Sequence, residues 1–267
     1  YDETKNWWSR AGVTSNMPVG EPGGPDSEMF WDFGEDKNLH ENSEFKTQKC
    51  HVNCDCGRFV EIGNNVFMEY KKTENGFKPL EQKNVDFGGG FERLTAVVQN
   101  EPDIFKTDLF LPITKKIKEL ATNEDTTALK IVADHLRAAT FMLGDSKAIT
   151  PSNLDQGYVL RRLIRRAVRS GKILGINKPF TFEIAEIIIK EYKDIYPELQ
   201  ENKDFIIEQL IQEEEKFSKT LEKSLKHFDK VASNDISAHE AFVLFTTYGL
   251  PIEIIKDLAS EKGIKVD

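Results

Sequence analysis

Apolar positions change period along this chain, and the changes mark out its elements. Residues 59–70 alternate, with Val60, Ile62, Val66, Met68 and Tyr70 on one parity, which predicts a β-strand. Asn75-Gly76 then signals a hairpin turn into a second strand. That strand runs into Val85-Asp86-Phe87-Gly88-Gly89-Gly90-Phe91-Glu92-Arg93-Leu94, where Phe91, Leu94, Val97 and Val98 recur at helical spacing. Gly90 therefore falls at a helix start and Arg93 in the first turn. Upstream, residues 12–34 are rich in glycine and proline and read as a loop followed by a short strand over Ser27-Glu28-Met29-Phe30-Trp31. Trp7, Trp8 and Trp31 flank that loop. Exposed indoles are disfavoured, so the pattern points first to core positions and second to a pocket lining.

From residue 103 onward the period is that of a helix. Segments 103–121, 126–143, 157–174, 180–193 and 204–231 carry it, punctuated by Pro112, Pro151, Pro179 and Pro197. A boundary over 102–107 divides the chain into a strand-bearing region, 1–105, and a helical region, 106–267, so the fold class is α+β. Within 204–231, Glu213-Glu214-Glu215 reads as a solvated face over a stripe of Ile207, Leu210, Phe217, Leu221, Leu225 and Phe228. His135 lies in a core-like run and reads as a structural histidine.

One helix combines two extremes. Leu160, Leu163, Ile164, Ala167 and Val168 fall on one side of the helical wheel, and Arg161, Arg162, Arg165, Arg166 and Arg169 on the other, extended by Lys172. Arginine in place of lysine suggests bidentate contact with carboxylate or phosphate. Salt bridges to the acidic helices and a nucleic-acid backbone face both fit; a membrane-surface helix fits poorly, because the apolar side lacks Trp or Phe anchors. Before it, Ser152-Asn153-Leu154-Asp155-Gln156 has the spacing of a capping box, which would make Asn153 or Ser152 an N-cap.

Composition narrows the partners. At 267 residues and 39% apolar, two moderate cores fit the length. No apolar run approaches the roughly 20 residues of a spanning helix, and the polar start Tyr1-Asp2-Glu3-Thr4 lacks the apolar stretch of a signal peptide, so a cytoplasmic, non-membrane protein is expected. A first residue of Tyr suggests a piece of something longer. The net charge of −9 means that any nucleic-acid binding must come from the local basic helix. Three cysteines argue against a disulfide framework. Cys50, Cys54 and Cys56 lie close enough in sequence to hold Zn2+, with His51 or His40 as a fourth ligand; free thiols in a reducing compartment are the alternative.

The glycine stretch is the densest candidate site. Three glycines before a helix let a planar ring or a phosphate approach bare backbone, although a tight strand-to-helix turn uses the same residues. Taken with Asn6-Trp7-Trp8, Ser27-Glu28-Met29-Phe30-Trp31-Asp32, Glu61-Ile62-Gly63-Asn64-Asn65-Val66-Phe67-Met68 and the run from Pro151-Ser152-Asn153 to Gly171, it closely resembles the alanyl-tRNA synthetase family in order and spacing. The likeness continues through 205–228 and Thr247-Tyr248-Gly249-Leu250-Pro251. It implies that 1–105 is the C-terminal part of a class II aminoacylation domain on an antiparallel sheet, and that 106–267 is a helical domain recognising a tRNA acceptor stem.

The resemblance also implies roles. Gly90 would lie against the adenine of ATP and Arg93 would reach its terminal phosphates, with Mg2+ expected. Asp86 would bind the alanine ammonium group, Trp8 and Val66 would wall its methyl group, Gly88 would leave room, and Asn64 would lie near the substrate. Asn153 matches the family asparagine that contacts a G·U pair of tRNA(Ala), and the arginines after it would track phosphates. Thr246 stands where the family has aspartate at its second contact with that pair. Another departure puts Gly23 and Asp26 where most relatives carry cysteines. Two further class II motifs and an editing domain would lie outside this stretch, so the isolated polypeptide is not expected to form alanyl-adenylate. A non-catalytic acceptor-stem binding module is the rival reading; intact Asp86 and Arg93 speak against it.

Overall fold

The computed structural model describes residues 4–232 and 234–267. The polar start at Tyr1-Asp2-Glu3 lies outside them. The chain divides into two compact units, Tyr1–Leu109 and Phe110–Asp267.

The first unit is a four-stranded antiparallel sheet in chain order, β1 (Trp7–Trp8), β2 (Pro22–Asp32), β3 (Phe59–Thr73) and β4 (Gly76–Gly89), followed by α1 (Phe91–Val98). β3 and β4 form the hairpin that the alternation predicts. Thr73 pairs with Gly76, so Glu74 and Asn75 make the tip and Gly76 takes the positive φ, +116°, just after it. β2 is longer than the expected short strand. It starts at Pro22, inside the segment that composition assigns to a loop. The ladder slips between Gly23 and Asp26, so Pro25 sits at an irregularity where its missing N–H is tolerated. Gly24 is required there, because a Cβ would lie 1.7 Å from the carbonyl oxygen of Phe67.

Register sorts β2, β3 and β4 into two faces. Asp26, Val66 and Asp86 form one row, and Glu28, Asn64 and Gly88 the next row on the same face. On the other face Met29, Phe67, Val85 and Phe87 are exposed, as are Phe91, Leu94 and Val98 on α1. The apolar stripe of α1 forms as predicted, yet among its residues Ala96 is the buried one. The tryptophans separate as well. Trp7 stacks on Tyr70 at 6.2 Å and meets Phe77 edge-on at 5.3 Å. Trp8 and Trp31, expected first in the core, are exposed.

The second unit is helical: α2 (Leu111–Leu120), α3 (Thr126–Gly144), α4 (Asp155–Ile173), α5 (Thr181–Tyr192), α6 (Pro197–Glu201), α7 (Lys203–Val231), α8 (Ala238–Thr246) and α9 (Ile252–Glu261). Periodicity over 103–121 overstates the first of these. Residues Ile104–Lys106 form a single 3-10 turn, and α2 begins at Leu111 with Pro112 in its first turn, where a missing N–H costs nothing. Asp125 caps α3 by accepting from the Ala128 amide at 2.7 Å, and Ser237 with Glu240 forms a full capping box on α8. The core is made of Val132, Leu136 and Leu143 from α3, Leu160, Ile164 and Val168 from α4, Ile184 and Ile188 from α5, and Leu210 and Phe217 from α7, all at most 1% exposed.

The acidic triplet of α7 departs from expectation. Glu213 and Glu214 are buried, and Glu215 is exposed. Glu214 accepts from the backbone amides of Phe180 and Thr181 and from the Thr181 hydroxyl at 2.6 Å, satisfying the open donors at the start of α5. Burial raises its pKa, and these hydrogen bonds oppose the rise. A long-range partner thus holds inside the protein a side chain that its own helix would leave in water. His135, expected in the core, is only partly buried, its Nδ1 lying 3.0 Å from the carboxylate of the adjacent Asp134.

Candidate functional site

The polar face of the sheet gathers four of the sequence candidates. Val66 is buried between the register partners Asp26 and Asp86, and Asn64 lies between Glu28 and Gly88. Strands are about 4.8 Å apart, so Asp26 and Asp86 face each other across about 10 Å. Asn64 Nδ2 donates to Asp26 Oδ2 at 2.7 Å. The remaining oxygens of that pair, Asp26 Oδ1 and Asn64 Oδ1, are buried with no donor among the described residues. Both acceptors need a donor that the described residues do not supply. Asp86 is exposed and turns one oxygen to the Phe87 amide at 2.9 Å. Gly88 has nothing within 4 Å of where a Cβ would stand, so the fold itself does not demand glycine there. Trp8 pairs with Gly24 on the outer strand and is 38% exposed.

Gly90 and Arg93 sit where β4 turns into α1. Gly90 is the N-cap, extended at φ −80°, and a Cβ on it would press on the Arg93 side chain at 3.1 Å. Arg93 Nη1 donates to Glu61 Oε2 at 3.0 Å and to the Glu61 carbonyl at 3.1 Å, while its side chain stays 49% exposed. It borders a cavity of about 410 Å3, also lined by Glu28, Glu61, Lys5, Phe30 and the loop residues Val52 to Asp55. Burial, then Glu61, then Asp26 push the Glu28 carboxyl up; Lys5 and Arg93 pull it down. Two acids, Glu28 and Glu61, thus stand beside a half-exposed guanidinium on one cavity.

The thiols converge. One ligand atom each from His40, Cys50, Cys54 and Cys56 lies within 4.8 Å of all the others. His40, Cys54 and Cys56 are buried. His51, the other expected partner, is exposed and its Nδ1 accepts from the Asn53 amide at 3.2 Å.

In the helical unit the basic face is not free. Arg162 pairs with Glu253 at 2.7 Å, Arg165 with Glu213 at 2.6 Å, Arg166 with Asp257 at 3.1 Å and Arg169 with Glu261 at 2.6 Å. Of the two patterns that fitted the arginine stripe, salt bridges within the unit take these four side chains. Arg165 also donates to the carbonyl of Gly249 at 2.8 Å, tying α4 to the loop after α8. Tyr248 in that loop stacks on His227 at 4.1 Å, and its carbonyl accepts from Ser224 at 2.7 Å. Thr246, at the exposed end of α8, donates to the Phe242 carbonyl at 2.7 Å.

Asn153 does not cap α4. Leu154 occupies the N-cap, and Ser152 bonds locally to Leu154. The entrance is shaped instead by Gly157, where a Cβ would stand 2.3 Å from Ser152 Oγ and 2.5 Å from the Thr150 carbonyl. This packing leaves Asn153 exposed, its side-chain oxygen accepting from Arg161. Burial, then Arg165, lower the Arg161 pKa. Asp26 lies on the same sheet face as Asn64 and Asp86 and was not singled out as a site residue by sequence reasoning. Its signal was present in the departure from cysteine, but its orphaned oxygen is visible only in three dimensions.

A class II sheet with an arginine at the first turn of the following helix, joined to a helical unit, is the pattern of a tRNA synthetase. The chain matches the family of class II (A) tRNA synthetases over residues 1–267, and it belongs to that family. Among curated relatives it is 42% identical to the alanine–tRNA ligase of Petrotoga mobilis, covering 100% of this chain and 30% of the relative. It is 39% identical to that of Borrelia hermsii, covering 99% and 48%, and 38% identical to that of Treponema pallidum, covering 98% and 43%. The chain thus spans between about a third and a half of these relatives' length. Among the described residues no helix is long and apolar enough to cross a membrane.

Proposed function

We propose that this chain supplies part of an alanine–tRNA ligase: the wall of the aminoacylation site and the surface that meets the acceptor stem of tRNA(Ala). The alanine carboxylate attacks the α-phosphorus of ATP, giving alanyl-adenylate and pyrophosphate; a 3′-terminal hydroxyl of the tRNA then attacks the alanyl carbonyl carbon, and AMP leaves. Such chemistry needs positioning and charge neutralisation more than an acid–base pair. Asp86 holds the ammonium group, with Asn64 and Asp26 offering further acceptors beside it. Trp8 and Val66 wall the methyl group, and the open space over Gly88 is filled by substrate. Gly90 meets the adenine, and Arg93 exchanges Glu61 for the terminal phosphates. Glu28 and Glu61 are the carboxylates that would hold Mg2+, which when bound would neutralise phosphate charge. Zn2+ has a structural part at Cys50, Cys54 and Cys56.

In the helical domain, taken as 106–267, Asn153 and Thr246 face the G·U pair and Arg161 the adjoining backbone. Arg162 and Arg166, about a third exposed, can add a guanidinium edge to phosphate. Arg165 and Arg169 act from inside, by fixing the surface.

The observation that carries this reading is the two adjacent rows, Val66 with Asp86 and Asn64 with Gly88, on one sheet face, leading into Arg93 at the helix start. Arg93→Ala in the full-length parent is expected to abolish ATP–pyrophosphate exchange while leaving tRNA affinity nearly unchanged. Equal losses in both would overturn the division of labour. A parent that binds tRNA without any exchange activity would favour the binding module.

A further inference from the structure

The long connection between β2 and β3, residues 33–58, contains no regular helix or strand, and loops of that length inside a compact unit need a reason to hold together. Its buried residues are Phe33, His40, Cys54 and Cys56. Apart from one phenylalanine, the interior of this loop is therefore its metal-binding side chains, and a segment without an apolar core is stabilised by a staple.

We infer that His40, Cys50, Cys54 and Cys56 form a closed structural Zn2+ centre whose role is to hold one wall of the cavity containing Arg93. Tetrahedral zinc with Zn–S near 2.3 Å and Zn–N near 2.05 Å demands S···S edges of about 3.8 Å and S···N edges of about 3.6 Å. Cys50 Sγ to Cys56 Sγ is 3.9 Å, and Cys54 Sγ to His40 Nδ1 is 3.5 Å. No pair of these thiols is joined as a disulfide. The ring of His40 is oriented for ligation. Its Nε2 lies 3.0 Å from the Gln48 carbonyl, which requires the proton on Nε2 and leaves the Nδ1 lone pair for the metal. That outer hydrogen bond fixes the ring as a ligating histidine needs.

The four protein ligands fill the coordination shell, so the ion has no open position for substrate and the site is structural. Its consequence is positional. Cys54 and its neighbours Val52, Asn53, Asp55 and Gly57 line the cavity together with Glu28, Glu61 and Arg93. Arg58 closes the loop onto the sheet through a bidentate pair with Asp32, both bonds 2.8 Å, and a contact with Glu35 at 3.0 Å. Metal and ion pair thus pin the two ends of a segment whose middle is the wall. This extends the structural-zinc reading above, and its link to ATP rests on the role proposed for Arg93.

The test uses the chain purified under reducing conditions and supplied with Zn2+. Metal analysis is expected to give about one equivalent, lost on His40→Ala and kept on His51→Ala. Less than about a tenth of an equivalent, or equal loss from both histidine variants, overturns the centre. Should His40→Ala fail to fold, the wild-type chain decides by thiol titration: the three cysteines are expected to react with a disulfide reagent only after a chelator is added, and ready reaction without chelator overturns the centre. Hydrogen exchange then tests the wall. Chelation is expected to raise exchange across 52–57 and leave α3 and α4 unchanged; unchanged exchange at 52–57 overturns the wall. None of these readouts involves nucleotide, so they stand or fall apart from the ATP assignment.

Discussion

The two units spend their apolar residues in opposite ways. Among the described residues, the sheet unit contributes Met17, Phe33, Cys54, Cys56, Val66 and Ala96 to the buried apolar set; the helical unit supplies the rest. The sheet unit leaves Phe67, Val85, Phe87, Phe91 and Val98 in solvent and keeps polar side chains in rows on its other face. The helical unit buries its stripes and even two glutamates and an arginine. The sheet unit holds its shape through backbone ladder and close glycine packing, whereas the helical unit rests on a packed core crossed by ion pairs.

The sharpest way to break that contrast is at the buried pair between α4 and α7. Glu213→Ala leaves Arg165 partly buried without its partner and is expected to destabilise the helical unit by about 3–5 kcal/mol, measured by denaturant unfolding followed at α-helical signal. Loss of a few tenths only would mean that the arginine is solvated and the basic face free. Next comes the sheet unit's chemistry. Arg93→Ala is expected to cut adenylate formation in the full-length parent by about 10²–10³-fold or more with unfolding unchanged, since its partner Glu61 can return to water. A third substitution separates recognition from core. Asn153→Ala is expected to weaken tRNA(Ala) binding by about 1–3 kcal/mol with little effect on stability, because Asn153 does not cap α4. A fall in helix stability of about 1 kcal/mol without a binding change would restore the capping role.

The smallest effect concerns pH. Glu28 is raised, so in the folded protein it takes up its proton at higher pH than an ordinary glutamate. For a raised acid the protonated form is the favoured one in the fold, and its contribution to stability is present at low pH and lost as pH rises through the folded pKa. Cation binding runs the other way. Mg2+ affinity is expected to weaken as pH falls through that raised value, and Glu28→Gln should flatten the dependence, as followed by Mg2+ titration of ATP-dependent exchange in the parent.

Much of this was legible in the chain itself. Alternation over 59–70, the Asn75-Gly76 signal and the glycines before Phe91 locate β3, the hairpin and the β4–α1 junction, because strand and helix periods are local properties. The collinear motifs carry the family, and the close spacing of the three cysteines points to a metal. What the chain could not disclose was partnership. The arginine stripe of α4 looks the same whether it faces phosphate or carboxylate, and the acids that take four of its members lie on α7 and α9, far along the sequence. Glu214 reads as solvated on its own helix and is a cap for another. His40 and His51 are equal candidates by spacing; folding buries one beside the thiols and leaves the other outside. Period, glycine and motif are written in neighbouring residues, whereas the fourth ligand, the ion pairs and the orphaned oxygen of Asp26 depend on which distant side chains the packed chain brings within a few ångströms.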